Sequence, residues 1–240
     1  MQSLKDKKIV ILGAGGGFGK AVAEKLARHG AILALGGPNA EALESLAKVC
    51  TESGAAKVTC GVIDVTNEAS VGAFFNGVQS ALGGADILLY LPGRSVASPV
   101  TSMSETDYDN IIDVNLKGLF LTAKHFVPLT DPKRAPLLSF ISSQAATRPN
   151  PNAPVYCAAK AAVSMFGQGL ALQLMQHNIR VTSFKPGPVD TQGFWGDRPV
   201  PREKFMQADD VASVIEFTFC LPDHVVMHEV SFESFEFLKK

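Results

Sequence analysis

The features that would mark a metalloprotein, a disulfide scaffold, a nucleic-acid binder or a membrane protein are missing from this chain. Its four cysteines, Cys50, Cys60, Cys157 and Cys220, are scattered, with no C-x-x-C pair and no zinc spacing, and its five histidines never form H-E-x-x-H. No metal is therefore expected, and the cysteine usage fits a reducing cytoplasm. There is no charge excess: 22 Lys and Arg face 23 Asp and Glu, for a net charge of −1 and a pI near 6.5. Without a basic surface, nucleic acid is not an expected partner. No run of eighteen apolar residues occurs, which argues against a membrane span. The opening residues MQSLKDKK are charged and lead straight into a strand-like run, so no signal peptide is expected. Internal repeats, low-complexity tracts and linkers are also lacking.

What the chain does have is apolar content and order. Apolar residues make up 46% of its 240 positions, with a mean hydropathy of +0.15, ample for a buried core, and residues 1–240 are expected to form one domain. Short apolar runs alternate with longer amphipathic segments, the signature of β-α repeats and a parallel sheet. Strands are predicted at residues 8–12, 31–35, 57–63, 86–91, 137–142, 180–185 and 225–230. Continuous rather than alternating apolar runs fit strands covered on both faces. Helices are predicted at residues 17–29, 40–52, 68–82, 105–127, 154–177 and 208–220. Asn39 and the Ser104/Asp107 pair carry helix-capping signals, and Gly30 marks the end of the first helix.

Between the first strand and the first helix lies Leu12-Gly-Ala-Gly-Gly-Gly-Phe-Gly19. Glycines at a strand-to-helix turn admit positive φ and let a ligand approach the backbone. The helix N-terminus that follows offers unpaired N–H groups and partial positive charge, which suit a pyrophosphate. A tight packing turn or an adenosyl-methionine site would use similar glycines, but the latter would not come with the group described next.

Tyr156 and Lys160 are four residues apart in a predicted helix, so their side chains point into the same space. A phenol is a weak acid near neutrality, and a neighbouring cation stabilises its phenolate. Ser143, thirteen residues upstream, arrives from a separate loop with a hydroxyl able to hold a carbonyl or alcohol oxygen.

Taken together these motifs resemble the short-chain dehydrogenase/reductase family over essentially the whole chain. Gly13, Gly17 and Gly19 match its Gly-x-x-x-Gly-x-Gly, and Asp64-Val65 matches the acidic pair beside the adenine ring. Asn115, Ser143, Tyr156 and Lys160 match its catalytic tetrad. Lys185-Pro-Gly-Pro-Val-Asp-Thr191 matches the segment that flanks the nicotinamide, and Asp210-Val-Ala the start of the last helix. The resemblance implies a Rossmann-type α/β fold, a doubly wound parallel sheet of about seven strands with helices on both faces. It implies an NAD or NADP cofactor held by Gly13, Gly17, Phe18, Gly19, Asp64, Val65, Gly93, Tyr156, Lys160, Pro186, Gly187, Val189 and Thr191. It implies hydride transfer between that cofactor and a small alcohol/carbonyl substrate. Tyr156 would be the general acid or base, Lys160 would lower its pKa and hold the ribose, Ser143 would bind the substrate oxygen, and Asn115 would place a water. Assembly as a homodimer or homotetramer, through the helices carrying Asn115 and Tyr156, is implied as well.

The chain departs from the family at defined places. Tyr90-Leu91-Pro92-Gly93 replaces the usual Asn-Asn-Ala-Gly, and Leu12 replaces a threonine. The second strand ends in Leu35-Gly-Gly-Pro-Asn39, with neither an acid for the NAD ribose nor a base for NADP; lacking an anion to repel a 2′-phosphate, it leans towards NADP. The altered segment at Tyr90 leaves a contrasting function open, a catalytically silent dinucleotide-binding regulatory protein. Residues 186–207, with Phe194, Trp195 and Phe205, are expected to cover the substrate as an apolar wall or merely to pack down. Arg94 and Arg148 flank the expected cleft. Phe232, Phe235 and Phe237 near the C-terminus would close the core or meet a second subunit.

Overall fold

The computed structural model describes residues 2–191, 193–196 and 198–239. Seven strands form one sheet in the order β3-β2-β1-β4-β5-β6-β7, every neighbouring pair parallel. They are β1 (Lys8–Leu12), β2 (Ile32–Gly37), β3 (Lys57–Val62), β4 (Ile87–Tyr90), β5 (Leu137–Ile141), β6 (Arg180–Pro186) and β7 (Glu229–Phe232). The helices are α1 (Gly19–Ala27), α2 (Ala40–Glu52), α3 (Glu68–Leu82), α4 (Glu105–Ile112), α5 (Gly118–Phe126), α6 (Pro154–Leu174), α7 (Ala208–Phe219) and the short α8 (Phe235–Leu238).

The alternation of side chains along β1 divides the core in two. Ile9 and Ile11 join the cluster built with Val22 and Leu26 of α1, Leu43 of α2 and Val211 and Ile215 of α7. Val10 and Leu12 point the other way, to Phe74 and Phe75 of α3, Leu119 of α5 and Val163 of α6. Because β1, β4 and β5 are apolar on both faces, they are stable only between two helical layers, and the chain obliges by crossing the sheet in alternate directions. This is the Rossmann-type doubly wound architecture that the sequence implied. Chain order reverses between β1 and β4, and at that switch point the carboxyl ends of the strands open a crevice.

Local chemistry sets several boundaries. The Asn39 side chain accepts from Ala42 N at 3.0 Å, and the Ser104 hydroxyl accepts from Asp107 N at 3.0 Å, fixing the starts of α2 and α4 as their capping signals predict. Two elements differ from the sequence reading. The helix predicted over 105–127 is interrupted at Asp113–Lys117 by one π-helical turn, in which Gly118 N donates to Asp113 O, five residues back. A periodicity argument does not register one extra residue in a turn. The last strand lies at Glu229–Phe232 rather than 225–230, because its pairing partner is the second half of β6, with Ser183 opposite Glu229. Val225 instead closes a turn onto Pro222 O at 2.8 Å.

Among the described residues, Pro154–His177 is the one helix whose length and composition would suit a membrane span. It lies flat on the sheet, with Ala159, Lys160, Val163 and Gly167 buried.

Candidate active site

The crevice at the switch point is a cleft of about 1310 Å³, more than the several hundred Å³ of an ordinary single-ligand pocket. It has room for two ligands side by side. One end is built by the glycine turn. Gly13 and Gly17 have φ of +77° and +46°, a region that L side chains avoid. A Cβ on Gly19 would collide with the Gly13 carbonyl oxygen, so the first turn of α1 presses directly on the loop. Phe18 precedes α1 without a side-chain cap, and no acidic residue stands in the first turn. Gly19 N donates to Gly16 O at 2.8 Å. The N–H groups next to it have no side-chain cap and no acidic neighbour in the first turn, which leaves the partial positive charge of the helix start without an anionic partner.

Farther along this end lie Gly37, Pro38 and Asn39 after β2, and Asp64 and Val65 after β3. The Asp64 carboxylate is held by Thr66, accepting from its N at 2.9 Å and its hydroxyl at 2.7 Å. No acidic or basic side chain lines the stretch from Gly37 to Leu43.

The other end gathers Ser143, Tyr156 and Lys160. Ser143 follows β5 in extended conformation and its hydroxyl accepts from Ala145 N at 3.1 Å, capping a short 3-10 turn. Tyr156 is half-buried on the first turn of α6. Crowding by apolar neighbours pushes its phenol up to about 12, while the Ser143 hydroxyl and, more weakly, the Arg198 guanidinium oppose that shift. Lys160 is 2% exposed, and burial draws its ammonium down to about 7. It donates to Ile141 O at 2.8 Å and lies 5.8 Å from the centre of the Tyr156 ring. The sequence assigned Lys160 the task of lowering the phenol's pKa. In this geometry burial dominates, and the opposing cation is Arg198.

Asn115 does not line the cleft directly; it stands just behind it, 1% exposed, in the π-helical turn. Its amide nitrogen donates to Ile111 O and to Arg94 O, both at 2.8 Å, while its buried Oδ1 has no partner. A Cβ on Gly93 would lie 3.4 Å from both Asn115 Oδ1 and Lys160 Nζ, so these two groups face one small space behind Gly93. Pro186, Gly187, Val189 and Thr191 complete the wall between the two ends.

The loop after β6 is pinned at its base, where Val189 bridges Met206 and Asp190 N donates to Met206 O at 2.8 Å. Gln192 and Asp197 of this loop lie outside the described residues. Trp195 Nε1 donates to Val189 O at 2.7 Å. Phe194 meets Tyr156 edge-on with centroids 6.0 Å apart, and Trp195 packs on Phe205 at 4.9 Å. Arg198 lies over both Phe194 and Trp195 and donates to their carbonyls.

Sequence motifs did not mark everything here. Glu233, just past β7, pairs with Arg148 and lines the cleft, and Phe237 packs on Phe205 at 5.6 Å. Phe232 thus packs against the core and Phe237 lines the cleft while staying 36% exposed, whereas Phe235 is 72% exposed. No spacing rule links these residues to Ser143 or Tyr156; only the pairing of β7 with β6 brings them across. Arg148 is tied to Glu233 and Arg94 lies 3.8 Å from Asp107, so neither is a free cation at the mouth.

A parallel sheet with a glycine turn at its switch point, facing a Ser, Tyr and Lys across the crevice, belongs to the class of Rossmann-type oxidoreductase domains. Comparison with known proteins narrows this. Residues 7–199 match the short chain dehydrogenase family. An uncharacterized oxidoreductase of Staphylococcus aureus strain USA300 is 32% identical over 231 residues, 96% of this chain and 98% of that one. Among solved structures, an alcohol dehydrogenase from the archaeon Thermococcus sibiricus, complexed with 5-hydroxy-NADP, superposes with a TM-score of 0.89 at 28% identity, covering 97% of this chain and 98% of its own. A 7α-hydroxysteroid dehydrogenase complexed with NADH and 7-oxo glycochenodeoxycholic acid gives 0.88 at 26% identity, covering 97% and 94%. The chain belongs to the short-chain dehydrogenase/reductase family.

Proposed function

We propose that this chain is an NAD(P)-dependent oxidoreductase that interconverts an alcohol and a carbonyl compound, with Tyr156 as general acid and base. The observation that carries this reading is the meeting, in one cleft, of Ser143, Tyr156 and Lys160 with the uncapped N-terminus of α1. A nicotinamide dinucleotide fits the residues present. Gly13, Gly17, Phe18 and Gly19 would hold the pyrophosphate, Asp64 and Val65 the adenine, and Gly93 the ribose backbone. Pro186, Gly187, Val189 and Thr191 would hold the nicotinamide end. When bound, the nicotinamide supplies or accepts the hydride.

The protein's own residues supply the proton. Ser143 donates to the substrate oxygen. The Tyr156 phenol, which burial keeps protonated at neutral pH, gives its proton to that oxygen in carbonyl reduction. Alcohol oxidation is the reverse step, in which the phenolate form takes the proton of the alcohol, so the raised pKa favours the reductive direction near neutrality. Lys160, with a pKa near 7, is poised to pass protons at neutral pH. The unpartnered Oδ1 of Asn115 would accept from a water shared with Lys160 and so connect that lysine to solvent.

The single dinucleotide-binding unit spans the chain, with residues 186–207 as its substrate loop. Phe194 and Trp195 form an apolar wall beside Tyr156, which favours a small-molecule substrate with a hydrophobic portion. Between the two cofactors we favour NADP. None of the cleft-lining residues from Gly37 to Leu43 carries a carboxylate to repel a 2′-phosphate, since the exposed Glu41 of that stretch does not line the cleft. Asn39 Oδ1 is engaged in capping α2, which leaves its side-chain nitrogen to donate. The exposed apolar side chains Phe120 of α5 and Met165 and Leu172 of α6, which are 48%, 66% and 75% exposed, suit assembly into a homodimer or homotetramer. We place the enzyme in the cytoplasm, in keeping with its four free cysteines.

Fluorescence titration with NADPH and NADH tests the cofactor reading. Saturable binding of both, tighter for NADPH, is expected. Tighter NADH binding would reverse the preference, and binding of neither dinucleotide would overturn the assignment as a whole.

A further inference from the structure

We infer that Tyr90 is a positioning residue: its phenol holds the Val114 carbonyl and thereby fixes the π-helical turn that presents Asn115 to the space shared with Lys160. The inference rests on the role proposed above for Asn115 and adds the means by which this chain, whose β4 ends in Tyr-Leu-Pro-Gly, keeps that residue in place.

Tyr90 is the last residue of β4 and is 1% exposed. Its hydroxyl donates to Val114 O at 2.5 Å, a bond between the sheet and the turn immediately before Asn115. Burial raises the phenol's pKa far above neutrality, so the group remains a donor at any working pH. A π-helical turn is a looser ladder than the α-helix on either side of it and is more readily displaced. Asn115 leaves no slack to absorb such displacement. Its amide nitrogen is committed to Ile111 O and Arg94 O, so the direction of its free Oδ1 follows the backbone at 115.

A second observation marks Tyr90 as a fitted part rather than a core ring that happens to carry a hydroxyl. A Cβ on Gly118, the residue ending the π turn, would collide with the Tyr90 oxygen and would lie 3.1 Å from Val65 Cγ2. The missing side chain at 118 is the space the phenol occupies. A phenylalanine at 90 would keep the ring packing but leave the half-buried Val114 carbonyl without that donor.

The test compares the wild-type chain with Tyr90→Phe, Gly118→Ala and the double variant. Hydrogen exchange is measured on the cofactor-free proteins, and NADPH-driven reduction is followed on a fixed panel of α-diketones, β-ketoesters and aryl ketones. In Tyr90→Phe the amides of residues 113–118 should exchange about tenfold faster, with the strand amides of β1 and β5 unchanged. Its kcat should fall about tenfold while KM for NADPH holds, a split that simple destabilisation does not produce. Gly118→Ala should lower the melting temperature less in the Tyr90→Phe background than in the wild type, because the colliding oxygen is gone. Unchanged exchange at 113–118 would overturn the inference, as would faster exchange with unchanged kcat, or strictly additive effects of the two substitutions. If no member of the panel is reduced by the wild type, it is the proposed function that fails. Local exchange and the double-variant cycle still decide the Tyr90–Val114 link.

Discussion

The two titrating groups of the site are displaced in opposite directions by one cause. Burial disfavours charge, so the Tyr156 phenol rises to about 12 and the Lys160 ammonium falls to about 7. A lysine whose folded pKa lies below its unfolded value of 10.5 contributes a stability that is complete above that value and is lost as pH falls towards 7. Wild-type stability should therefore climb between about pH 7 and 9, at roughly 1.4 kcal/mol per unit from this residue alone. The losses from Tyr156 and from Cys50, whose buried thiol rises to about 11, begin at higher pH. Denaturant melts of Lys160→Met across that window should show a flatter slope than the wild type. An identical slope would mean that Lys160 is charged as readily in the fold as out of it. The residue scale is also where the sequence spoke most clearly. Ser143, Tyr156 and Lys160 could be singled out because helical spacing and functional-group chemistry are local facts. The dominance of burial over the expected lysine effect could not, since it depends on what packs around α6.

Among elements, the strand–turn–helix from β1 to α1 was legible because glycines crowd into a place where few other residues fit. The close approach of Gly19 to the Gly13 carbonyl oxygen turns that pattern into a prediction. Gly19→Ala must push the first turn of α1 away from the loop. NADPH affinity by fluorescence titration should fall at least about tenfold, roughly 1.4 kcal/mol, together with a lower melting temperature because the clash is with backbone; undiminished affinity in the folded variant would remove the α1 N-terminus from the cofactor site. The π-helical turn at Asp113–Lys117 was invisible by contrast, because its flanking helices keep the amphipathic pattern and one inserted residue shifts the phase too little to read. β7 was misplaced for a different reason. Val225 and Val226 have the stronger strand propensity, yet tertiary pairing with Ser183–Pro186 selected Glu229–Phe232.

At the level of the whole molecule, the β-α repeats and the parallel sheet could be read from patterning, while the doubly wound order was implied by the family resemblance. The junctions between distant segments could not. Glu233 reaches Arg148, and Phe237 reaches Phe205 and the substrate loop, only once β7 has added to the sheet edge. The exposed apolar residues Phe120, Met165 and Leu172 belong to this scale too, and light scattering should give the mass of a dimer or tetramer; a monomer at micromolar concentration would reject that assembly. The central claim, that Tyr156 carries the proton to a carbonyl oxygen, is tested most directly by Tyr156→Phe assayed with NADPH on the carbonyl panel. Turnover should fall at least about a hundredfold, the scale of a positioned general acid, with NADPH binding largely preserved. Wild-type turnover in that variant would contradict the account.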